Sequence, residues 1–82
     1  MHEDTIKMDF PQFRKLENGK SLYQITGPNQ FTELQQIGSK WFAYAFEVQQ
    51  FPDLLRIQDM LQANHSFVVI EAAEYQAIFA QL

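Results

Sequence analysis

His65, Ser66 and the carboxylates Asp53, Asp59, Glu71 and Glu74 are the side chains of this 82-residue chain whose types could do chemistry. Histidine beside serine suggests a base and a nucleophile. Consecutive residues of an extended segment point to opposite sides, however, so adjacency does not make His65 and Ser66 a catalytic pair. Ser21 and Ser39 stand at expected turns, where hydroxyls serve the backbone, and no G-x-S-x-G elbow occurs. A metal site would need convergent carboxylates, because there is no cysteine and the histidines are at positions 2 and 65. No EF-hand loop or H-E-x-x-H spacing is present. Glu71 and Glu74 fit the first turn of a helix, where a carboxylate favours the positive end of the dipole. Gly19, Gly27 and Gly38 are isolated, which excludes a P-loop and a dinucleotide fingerprint. No catalytic, cofactor-binding or metal-binding residue is assigned.

Charge narrows the partners. The net charge is −4, and residues 41–82 carry five acids against Arg56 alone. Such a chain gains little from the counterion release that drives phosphate binding, so nucleic acid is not an expected partner. Arg14, Lys15 and Lys20 form a small basic group, read as the solvated face of a hairpin. No apolar run reaches the roughly 18 residues of a membrane span. The opening MHEDTIKMD is unlike a signal peptide, which gives Asn64-His65-Ser66 little weight as a glycosylation sequon. The expectation is a soluble cytoplasmic protein with no membrane partner: a loose leader at residues 1–9 and one domain at 10–82.

The elements follow from periodicity. QFRKLENGKSLYQIT, residues 12–26, reads as a β-hairpin with Asn18-Gly19 in a type I′ turn. In residues 30–37, Phe31, Leu34 and Ile37 at spacing three suit a short helix. Phe31, Glu33, Gln35 and Ile37 suit a strand leading into a Gly38-Ser39 loop, and the strand is preferred. Residues 41–48 alternate and are rich in aromatics, the strongest strand signal in the chain. Pro52 and Asp53 open a helix whose stripe is Leu54, Ile57, Met60 and Leu61, ending near Asn64. Residues 66–70 form a β-branched strand, and Tyr75, Ile78, Phe79 and Leu82 mark one face of a last helix. The fold class is therefore α+β: an antiparallel sheet of four to five strands, from two hairpins and a later strand, with two helices on one face.

Residues 41–48 are apolar on both sides. Phe42, Tyr44, Phe46 and Val48 are expected to form the floor beneath the helices. Trp41, Ala43 and Ala45 then occupy the back of the sheet, to be covered by the segment around Phe10, a second copy or another protein. A domain this small, with no disulfide to staple it, has reason to associate. The sequence thus favours a non-catalytic domain acting through protein–protein contact, self-associating at Trp41, Ala43 and Ala45 and needing no cofactor. Two alternatives stand beside it. One is a small-ligand or enzymatic pocket lined by Tyr23, Tyr44 and Tyr75 with Glu71 or His65. The other is an acidic regulator seated on a basic partner.

Overall fold

The structure, a computed structural model, describes residues 9–82; the expected leader, apart from Asp9, lies outside them. Seven elements follow in the order β1 (Gln12–Leu16), β2 (Ser21–Gly27), β3 (Gln30–Ile37), β4 (Lys40–Glu47), α1 (Phe51–Leu61), β5 (Phe67–Val69) and α2 (Ala72–Phe79). All strand pairings are antiparallel and the sheet order is β4-β3-β2-β1-β5. The α+β class, both hairpins and the later strand are as expected, and residues 30–37 are a strand.

Turn chemistry explains the meander. Gly38 has φ +64° and opens the two-residue loop Gly38-Ser39, the glycine-first order of a type II′ turn. The first hairpin departs from the expected type I′ geometry. Gly19 is left-handed at φ +74°, but Asn18 has no positive φ. Instead the Gly19 N–H donates to the Leu16 carbonyl at 2.9 Å, and the Asn18 side chain accepts from the Lys20 N–H at 2.8 Å. Asparagine serves here as an acceptor that mimics a backbone turn rather than as a left-handed residue.

The helices do not share a face, which corrects the expected arrangement. Tyr23, Ile25 and Phe31 pack with Ile57 and Met60 of α1, whereas Leu22 and Leu34 pack with Tyr75 of α2. Neighbours along a strand point to opposite sides, so α1 lies on one face and α2 on the other. Chain geometry requires the first crossing. β4 and β5 are opposite edges, four strand spacings or about 19 Å apart. The 11-residue α1 is about 16 Å long and, with its loops, bridges that distance. After β5 the chain turns at Ile70 onto the second face, where Ile70 joins Tyr75 in the core.

Arg14 fixes the far end of α1. It is only 6% exposed. Its Nε donates to the Met60 carbonyl at 2.7 Å and its Nη2 to the Leu61 carbonyl at 2.9 Å. Nη1 reaches the Phe13 carbonyl and Nη2 also reaches Gln12 Oε1, both at 2.7 Å. The last turn of α1 has no basic residue of its own, so a cation from β1 meets its negative end. The expected basic group is therefore dispersed: Arg14 is buried, and Lys15 pairs with Glu74 of α2 at 2.8 Å.

Candidate functional site

The expected aromatic floor is not one. On the α1 face of β4, Phe42, Tyr44 and Phe46 remain 42%, 41% and 38% exposed, and only Val48 joins the partly buried margin of the core. The cause is where α1 starts. It leaves from the Glu47 end of the strand, where the Val48 N–H is still bonded to Asn29. From there it crosses toward β1 and β5. Phe46 stacks on Phe31 with ring centroids 4.9 Å apart, and the rest of the row extends past the helix.

The opposite side of β4 is divided. Trp41 is half-buried against Leu22, Leu34, Ile70 and Tyr75. Beside it Ser39, Lys40, Gln81 and Leu82 line a shallow open cavity of about 320 Å³. Ala43 and Ala45 are exposed. Phe10 packs into the α1 cluster instead, so it does not cover this back face. The two helices meet β4 at opposite ends and on opposite sides, and the middle of the strand is bare on both. The sequence prediction of Trp41, Ala43 and Ala45 as one patch is thus split into an anchored tryptophan and two free alanines.

Among the described residues the backbone edge is also unpaired, because β4 ends the sheet. In an antiparallel ladder, residues alternate between bonding the neighbour and pointing their N–H and C=O away. Val48 donates to Asn29 across the β3–β4 pair, and the register then places Phe46, Tyr44, Phe42 and Lys40 in the bonded class. Trp41, Ala43, Ala45 and Glu47 therefore present their amides and carbonyls to the free edge.

The residues of the pocket alternative do not converge. Tyr23 is buried on the α1 face and Tyr75 on the α2 face, while Tyr44 is exposed on the edge strand. Tyr23 Oη donates to Glu33 Oε2 at 3.3 Å and accepts from Arg56 Nη2 at 3.4 Å. Arg56 also lies 5.6 Å from the Phe31 ring centroid and 3.8 Å from Glu33 Oε1. Burial, then the Glu33 carboxylate, pushes the Tyr23 phenol above its usual range, so it stays protonated and links helix to sheet. Burial also raises the Tyr75 phenol, whose hydroxyl has no hydrogen-bond partner among the described residues. Glu71 precedes α2 as an exposed N-cap residue. His65 sits in a loop at φ +60°, 3.9 Å from Asp59. Among the described residues no group of three or more metal-ligating side chains forms, and no helix is long and apolar enough to cross a membrane.

Sequence reasoning missed Arg14 and Glu33 as buried groups. A signal for the first was available, since α1 ends without a cation. For Glu33 the strand reading already put it in line with Phe31, on an apolar face. No family model, curated protein or solved structure matches the chain.

Proposed function

We propose that this is a small non-catalytic domain that acts through protein–protein contact, self-associating through β4. The observation that carries the reading is an eight-residue edge strand whose centre is apolar and exposed on both sides. Apart from Trp41, which packs in the α2 cluster, the helices cover the other strands. Monomeric domains guard such edges with short strands, prolines or central charges, and β4 carries charge only at Lys40 and Glu47. The contact surface comprises Ala43 and Ala45 with Phe42, Tyr44 and Phe46, and Trp41 forms its anchored border.

Sedimentation velocity across the micromolar range tests the proposal. The wild type is expected to show a concentration-dependent dimer, and Ala45→Glu to remain monomeric. Trp41→Glu is a poorer probe, because it would also unpack α2. A wild-type monomer at high micromolar concentration overturns self-association.

A further inference from the structure

Resting on that reading, we infer that the free edge of β4 pairs antiparallel with the same edge of a second copy of this chain, on a two-fold axis through Tyr44. The first reason is in the sequence of the strand. Residues 42–46 read Phe-Ala-Tyr-Ala-Phe, the same in both directions. An antiparallel mate centred on Tyr44 therefore sets Phe42 opposite Phe46 of the second copy, Ala43 opposite its Ala45, and Tyr44 opposite its Tyr44. Within residues 42–46 each side chain meets its own kind. A foreign strand has no such requirement, and this symmetry selects a second copy.

The second reason is the backbone. A two-fold axis perpendicular to the sheet keeps the same face upward in both copies, so opposed residues must share parity. The outward-pointing residues are Trp41, Ala43, Ala45 and Glu47. The Tyr44-centred register joins Trp41 to Glu47 and Ala43 to Ala45 across the axis, which satisfies every one of these amides and carbonyls with about eight hydrogen bonds. Moving the centre to Ala43 would pair Glu47 with Ser39 of the loop and set Lys40 opposite Phe46, giving up both the full ladder and the like-with-like match.

The third reason is packing. Phe42, Tyr44 and Phe46 fall in the non-hydrogen-bonded class of the new ladder, where side chains are closest. Aromatic cross-strand pairs are among the stabilising ones. On the other face the small alanines let the strands approach without obstruction. No charge lies between Trp41 and Phe46 to oppose the pairing. The product is one continuous sheet running through both molecules.

The absence of cysteine makes the register directly measurable. Tyr44→Cys should oxidise to a covalent dimer, because opposed non-hydrogen-bonded residues have Cα atoms about 4.5 Å apart, within the disulfide range of about 4.4–6.8 Å. Lys40→Cys, at an exposed position of the same strand, should not, since the two copies of that residue would be roughly 27 Å apart. Ala45→Pro removes an outward amide while sparing the β3 ladder, and should abolish the non-covalent dimer with an unchanged circular dichroism spectrum. If the wild type dimerises but Tyr44→Cys does not cross-link faster than Lys40→Cys, edge pairing is overturned and self-association stands. A wild type that never dimerises overturns both.

Discussion

The two edges of the sheet face the same problem and solve it differently. β5 is three residues long, lies beside β1, and is flanked by the helices that precede and follow it. β4 is eight residues long and keeps its central aromatics and alanines in solvent. A short edge offers few unpaired groups, whereas a long apolar one is a template for another strand. The difference divides this small molecule: β1, β2, β3 and β5 with the helices build the two buried clusters, and the middle of β4 lies outside them.

The comparison is tested most severely by truncating one apolar side chain in each half on the same face. Ile57→Ala, in the covered half, should cost about 3 kcal/mol by urea denaturation. Phe42→Ala should cost about 1 kcal/mol when measured in dilute, monomeric protein, and equal losses would refute the division. Arg14→Met comes next. Removing charged donors from the carbonyls that end α1 should cost about 2–3 kcal/mol, with the loss measured as a shift of the denaturation midpoint.

Alkaline titration sharpens the same boundary. The phenols of Tyr23 and Tyr75 are raised in the folded state. The unfolded chain therefore releases their protons first, and stability is full below about pH 10 and declines as pH rises above it. Tyrosinate absorbance should show these two tyrosines ionising together with loss of the folded circular dichroism signal. Independent ionisation of both in the folded state would contradict their burial. The smallest effect is Tyr75→Phe, which removes a buried hydroxyl without a partner among the described residues and should raise stability by about 1 kcal/mol, measured as a higher melting temperature.

The pattern of polar and apolar residues makes the elements readable in the sequence. Asn18-Gly19 located the first hairpin, Pro52 the start of α1, and the 41–48 alternation the strongest strand. What the pattern could not convey was how far each helix reaches. An apolar strand face reads alike whether a helix covers it or stops short, so the row Phe42, Tyr44 and Phe46 reads as a floor in the sequence and is an overhang in the fold. The candidate patch was legible as a strand side, but its division was not, since the cover over Trp41 comes from α2 at the far end of the chain.

Composition and periodicity alone determined an α+β chain without cysteine chemistry, with two hairpins and one strand greasy on both sides, because local dihedral preference and alternation are written residue by residue. Only the tertiary structure decided that the helices take opposite faces, that Arg14 closes α1, and that β4 ends the sheet. Those outcomes depend on the crossing from one edge to the other, a distance between residues far apart in sequence that no local pattern encodes.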